Sequence, residues 1–354
     1  MCGSQQNAVS FAVRFPPTPR DPEGPQRGPE RAGSKLVRLR RKGNGMADRF
    51  TRREFLKRAA IGVATAGLAT ELSGLDPEAL EGSAEAASGP TIAVASKKDP
   101  AGLVRAAVEA VGGMRSFVKK GDTVLVKPNM GWARRPEQAA TTNPEVVAEI
   151  VRLCRQAGAR EVKVVDHAVD RPDSLLLRMT GIADAAKKAG ARVAMASSPA
   201  LYEKVSLRRG KALTSAEVMR DLLRADVFIN VPIAKVHNST VLTLGIKNLL
   251  GIIWDRGAFH RSTSLDQAMV DLATQIRPHL TILDAVRILL TNGPKGPGRT
   301  DDRKIVVAGT DMVAVDAYGA SIFGMKASQI GHVRLAGASG LGESDLRRIQ
   351  IRHV

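Results

Sequence analysis

Cysteine is nearly absent: the 354-residue chain has two, Cys2 and Cys154. Two cysteines cannot build a disulfide framework, a zinc knuckle or the ligand set of an iron–sulfur cluster, and neither that cluster nor haem c is expected. Cys154 falls on a predicted helix and reads as a small core residue. Aromatic residues are scarce, at 3%, with two Trp, two Tyr and eight Phe. That excludes an extended stacking surface for single-stranded nucleic acid and leaves Val, Ile, Leu and Ala to build the core. No apolar run reaches the roughly 20 residues a membrane span needs, so no transmembrane segment is expected in the mature protein.

Basic charge, by contrast, is plentiful, with a net charge of +18. Residues 1–58 carry 14 Lys/Arg against 5 Asp/Glu, residues 59–86 carry 5 acids and no base, and residues 87–354 keep 39 bases against 25 acids. The part expected to fold is therefore basic on its own account, which favours anionic ligands or surfaces. The charges are scattered and no nucleic-acid recognition motif accompanies them, so specific nucleic-acid binding is not expected.

Three stretches follow. Residues 1–45 are rich in Pro, Gly and Arg and read as a disordered extension, with Met46 as an alternative start. Residues 46–86 contain Thr51-Arg52-Arg53-Glu54-Phe55-Leu56-Lys57, a short Ala/Gly-rich apolar run, and the small-x-small site Ala84-Glu85-Ala86. Together these resemble a twin-arginine export signal. They imply the twin-arginine translocation machinery as a partner and export across the cytoplasmic membrane to the periplasm or beyond. Residues 88–354 alternate strand-like and helix-like segments without a compositional break. The expected fold is a single α/β domain, a mainly parallel sheet with helices on both faces in three layers.

The stretch that organises this domain is 225–251. Val227 to Val231 is apolar and β-prone, and Pro232 ends it, as in a buried parallel strand. Lys235, His237, Asn238 and Ser239 follow in an expected loop, then a helix expected over 240–250 carries Lys247 and Asn248 and stops at Gly251. The same logic occurs earlier: the strand Thr123 to Val126 ends at Lys127-Pro128-Asn129. In open α/β sheets ligands sit beyond the carboxyl ends of strands. Lys127, Asn129, Lys235, Lys247 and Asn248 are therefore the candidate ligand-binding residues. Asp166-His167 ends the strand expected over 161–165. It offers Asp166 as an acid/base, with His237 as its counterpart. Asp166, Asp284 and Asp316, each at a strand end or on the helix after one, are candidate oxygen ligands for a divalent metal. The plainer alternative is that Asn and Ser cap helices and the lysines are solvated. Elsewhere, helices are expected over 101–118, 180–190 with Thr180 as cap, and 215–223. Asn143-Pro144 is a strong helix start, and Asn292-Gly293-Pro294-Lys295-Gly296-Pro297-Gly298 is a stiff loop whose bare amides suit an anion or an ordinary turn.

Several of these motifs recur together. Lys127-Pro128-Asn129, Thr141-Thr142-Asn143-Pro144-Glu145, Asn230-Val231-Pro232 with Lys235-Val236-His237, Leu244 to Gly251, Asn292-Gly293-Pro294 and Ala314-Val315-Asp316 form one series. In this order and spacing they resemble the family called domain of unknown function 362, over roughly residues 91–349. The resemblance implies a fold and a set of candidate residues, not a reaction. Many relatives carry a ferredoxin-like module with cysteine-ligated clusters; this chain lacks those cysteines, so electron transfer is not implied. Three functions stay open: binding of a small phosphate or carboxylate, with a divalent metal and enzymatic chemistry as an extension; a redox or metal-cofactor protein loaded before export; and a non-catalytic basic module for anionic surfaces.

Overall fold

The computed structural model describes residues 89–170 and 173–354. The disordered extension, the twin-arginine segment and the Ala84–Ala86 cleavage site lie outside the described residues. Among the described residues there are twelve strands: β1 (Thr91–Ser96), β2 (Thr123–Pro128), β3 (Glu161–Asp166), β4 (Arg192–Met195), β5 (Tyr202–Ser206), β6 (Ser215–Met219), β7 (Val227–Val231), β8 (Ile233–His237), β9 (Val241–Thr243), β10 (Leu280–Leu289), β11 (Thr300–Gly309) and β12 (Gln350–His353). Ten form one sheet, with the order β12-β1-β11-β10-β7-β2-β3-β4; β8 adds to β10, and β9 to β8. Pairing is parallel from β10 through β7, β2 and β3 to β4, as well as between β12 and β1. β11 runs antiparallel to both its neighbours.

Side chains alternate across the pleat, and both faces are covered. Val124 and Val126 of β2 join one buried cluster with Val146, Val147 and Ile150 of the helix Pro144–Ala157. Leu125 points the other way, into a cluster with Met269, Val270 and Val315 from the helices Leu265–Gln275 and Met312–Ile322. β7 is buried along its whole length, as a strand between two helical layers must be. The fold is α/β with a mostly parallel sheet.

The topology places a crevice. From β2 the chain proceeds to β3 and β4 on one side, whereas from β7 it proceeds to β10 and β11 on the other. The carboxyl ends of β2 and β7 therefore flank the point where the winding reverses, the place such sheets leave open for ligands.

Several elements depart from the sequence expectation. The helix over 101–118 ends at Ala110, because Gly112 and Gly113 take φ of +107° and +76°. The helix placed at 215–223 is instead β6 followed by one turn, Arg220–Leu223. Ser215–Met219 pairs antiparallel with β5 in a separate two-stranded sheet. Thr180 closes a helix, Asp173–Thr180, rather than opening one; Gly181, at φ +67°, leads into Ile182–Lys188. Pro232 interrupts β7 without ending extended backbone: 233–237 resumes as β8 beside β10. The expected helix over 240–250 is β9, a four-residue helix Gly245–Asn248, and the 3-10 turn Leu249–Ile252. An apolar run this short fits either period, and here pairing of 241–243 with β8 decides for strand. Asn143 caps Pro144–Ala157 as expected, accepting a 2.8 Å bond from the Glu145 N–H.

Candidate functional site

The last turn of β2 delivers Lys127 into the interior, where its ammonium is 1% exposed. It lies 2.8 Å from Asp166 Oδ1 at the end of β3, and donates to Pro128 O (2.7 Å) and Asn248 Oδ1 (3.1 Å). All three ammonium donors are thus used. Burial pushes the Lys127 pKa down, and the Asp166 charge opposes that fall. Asp166 is itself engaged on both oxygens: Oδ1 also accepts from the His167 N–H (2.9 Å) and Oδ2 from the Met130 N–H (2.6 Å). Its carboxylate fixes Lys127 and two backbone turns. That geometry gives it a positioning part.

A chain of amides extends outward from this pair. Asn248 Nδ2 donates to Asn230 Oδ1 (2.9 Å), and its Oδ1 also accepts from Asn129 Nδ2 (3.1 Å). Asn129 Oδ1 in turn accepts from Lys235 Nζ (3.2 Å), which also donates to Ala140 O. Lys235 is 1% exposed and, among the described residues, has no carboxylate at ion-pair distance. Burial, then the nearby Lys247 charge, hold its pKa well below the ordinary lysine value. Lys247 is partly buried, and its side chain makes no hydrogen bond or ion pair among the described residues. Burial and the charges of Arg256 and Lys127 bring its pKa to about 8.

These side chains line one cavity of about 630 Å³ at the switch point. Every candidate ligand-binding residue (Lys127, Asn129, Lys235, Lys247, Asn248) lies on its wall, as do Asp166 and His237. His237 Nδ1 accepts from the Ser239 N–H (3.1 Å), which leaves Nε2 as the protonated nitrogen. Burial, then Lys247 and Lys235, lower its pKa to about 3, so the ring is neutral at ordinary pH.

The three candidate metal ligands are not brought together. Asp284 accepts from the backbone N–H groups of Asn143 (2.7 Å) and Val286 (3.0 Å) and borders a different cavity, near Lys98 and Arg287. Asp316 accepts from the N–H groups of Gly245 (2.6 Å) and Ile246 (2.9 Å) and fixes the helix that carries Lys247. Among the described residues, no group of three or more His, Cys, Asp or Glu stands where it would hold a metal ion. The reason is that both carboxylates serve buried backbone donors, a task their positions in the sequence do not reveal.

Other wall residues were not selected from the sequence. Arg256 donates to the carbonyls of His167 (2.9 Å) and Ala168 (2.7 Å), and His167 stacks on Trp254 with ring centroids 5.1 Å apart. The tip of the β10–β11 hairpin, Asn292–Lys295, lies at the mouth. Lys295 reaches Asp170 (3.4 Å) and stands over the Trp132 ring at 5.6 Å. Sequence signals for these were the Asp166-His167 strand end and the glycine-rich 292–298 run.

An α/β protein whose winding reversal holds a cation- and amide-lined cavity is the class that fold and site define. The chain belongs to the family called domain of unknown function 362, whose model matches residues 124–321. It is 30% identical, over 228 residues, to a thylakoid-associated protein of Synechocystis sp., covering 60% of this chain and 66% of that one. Two solved structures are similar in part. The lactate racemase apoprotein from Thermoanaerobacterium thermosaccharolyticum aligns with a TM-score of 0.42 at 15% identity, over 69% of this chain and 58% of its own. A protein from Thermotoga maritima aligns with a TM-score of 0.37 at 12% identity, over 68% and 58%. The chain thus spans just under two thirds of the curated relative and less of either solved chain.

Proposed function

We propose that the chain binds a small oxyanion, a phosphate or carboxylate, in the cavity at the switch point. The observation that carries this is the pair of cations, Lys235 and Lys247, that share one cavity without a carboxylate partner among the described residues. Burial holds both amines below the ordinary lysine pKa, and a bound oxyanion would supply the counter-charge that favours their ammonium forms. Asn129 and Asn248 orient the same wall. Asp166, the carboxylate on that wall, is already committed to Lys127, so a divalent metal finds no free oxygen set there, and the metal-cofactor reading is the weaker. A concave site also speaks against a flat basic module for anionic surfaces. Export by the twin-arginine route remains a proposal carried by Arg52-Arg53 and its flanks.

The test is thermal shift and titration calorimetry with sulfate, inorganic phosphate and oxalate. At least one should raise the melting temperature of the native chain. Lys247→Ala should weaken that binding by about 10- to 100-fold, the worth of one charge-assisted contact of roughly 1.5–3 kcal/mol, with the unliganded melting temperature nearly unchanged. A large loss of stability in Lys247→Ala would mark the residue as structural and sink the reading.

A further inference from the structure

We infer that the Lys247 amine is a nucleophile that forms an imine with a small oxo acid, a compound bearing a carbonyl beside its carboxylate; this rests on the oxyanion reading of the same cavity. The three lysines on the cavity wall are not equivalent. Lys127 has all three donors engaged and a carboxylate at 2.8 Å. Lys235 is tied to Asn129 and Ala140. Lys247 alone of the three has a nitrogen with no partner among the described residues, and it opens onto the cavity. Its backbone is nonetheless fixed. Asp316 holds the N–H groups of Gly245 and Ile246, and Asn230 Nδ2 donates to Gly245 O (3.0 Å).

The surroundings favour the neutral amine. Its charge is opposed by Arg256 and Lys127 and supported by Asp266, and it acts in turn on Lys235, His237, His260 and His332. With its pKa near 8, about a tenth of the amine is unprotonated at pH 7, far more than of an exposed lysine. Desolvation beside other cations is the established way to activate a lysine toward carbonyls. Labour on the wall then divides: Lys235 and Asn129 meet the carboxylate, and Lys247 meets the carbonyl carbon. The neutral His237 ring, with its Nε2–H, offers a hydrogen bond to oxygen.

The step balances without an added redox partner. The amine lone pair attacks the carbonyl carbon, forming a C–N bond. A proton passes from nitrogen to oxygen to give a carbinolamine. The hydroxyl leaves as water with one further proton, and the C=N bond forms. Imine formation is reversible, so a trap is needed.

The experiment incubates the full chain with glyoxylate and sodium cyanoborohydride, which reduces the imine to a stable secondary amine. Peptide mapping by mass spectrometry then finds the modified lysine. The expected result is one dominant adduct, at Lys247, formed faster as pH rises from about 7 to 8 and suppressed by oxalate, which carries carboxylates but no reactive carbonyl. Lys247→Arg, which keeps the positive charge and removes the nucleophilic amine, should lose the adduct. If oxalate stabilises the native chain and labelling is absent at Lys247, or no stronger there than at exposed lysines, the imine inference falls and the oxyanion reading stands. If oxalate, sulfate and phosphate give no stabilisation and Lys247 takes no label, both fall.

Discussion

Lys127 and Asp166 form an ion pair whose side chains are 1% and 3% exposed. Such a pair contributes little over a well-packed apolar pair, but either member alone is a buried charge without compensation. Asp166→Ala should therefore destabilise the fold by about 3–5 kcal/mol, measured by urea unfolding. The double variant Lys127→Met/Asp166→Leu should recover much of that loss; if Asp166→Ala proves nearly neutral, the pair is not the anchor described here. Lys127 and Asn129 were legible in the sequence because Pro128 stops a strand and polar residues follow where a sheet of this class opens. Asp284 and Asp316 were read from the same rule and do not belong to the cavity. A carboxylate at a strand end has two employments, ligand and backbone acceptor, and only the neighbouring chain segments decide which.

At the scale of elements, the 3-10 turn Leu249–Ile252 presses on the ion pair. A Cβ on Gly251 would run into Asp166 Oδ1 and come within 2.5 Å of Lys127 Nζ. In the sequence Gly251 read as the stop of a helix; its actual task is close approach. Gly251→Ala should lower stability by about 1–3 kcal/mol through overpacking and weaken oxalate binding along with it. Calorimetry that finds the variant unchanged in both would refute the close approach. The stretch 233–250 was the hardest to assign from sequence. Its short apolar runs have no settled period, and the strand character of 233–237 and 241–243 comes from pairing with β10 and with each other. β6 was misread for the same reason: its partner β5 is what makes it a strand. The long, capped helix Pro144–Ala157 and the fully buried β7 carry their own signals and were legible.

For the whole molecule, strand–helix alternation was enough to give the α/β class and the place of the crevice, whereas the antiparallel insertion of β11 was not visible. The pattern of buried carboxylates has a global effect on pH dependence. Burial raises Asp284 to about 6 and Asp316 to about 7. The native state then holds more protons than the unfolded chain between about pH 4 and 7. The stability these groups contribute is full below the unfolded carboxylate pKa and is lost as pH rises through the folded values. Melting temperature, corrected for other titrations by comparison with Asp316→Asn, should show a falling component across this window. The variant should be less stable throughout, because Gly245 and Ile246 donate to different carboxyl oxygens and the NH2 that replaces one of them cannot accept, and its slope should be shallower. An unchanged slope would show that Asp316 is ionised over the whole range.

The neighbours of β1 carry one more consequence. Among the described residues it is the first strand of the sheet in chain order, yet its partners are β11 and β12, more than 200 residues later, with Ile92 aligned to both Gly309 and Ile351. The cavity mouth has a similar dependence, since Arg134 Nε donates to Lys295 O (3.2 Å) across 161 residues. A growing polypeptide can lay down β2, β3, β4 and β7 side by side, but it carries β1 unpaired until β11 emerges and the crevice unroofed until Lys295 has been added. Completion of this sheet thus waits for its last strands, and the lysine-lined chamber is closed with them.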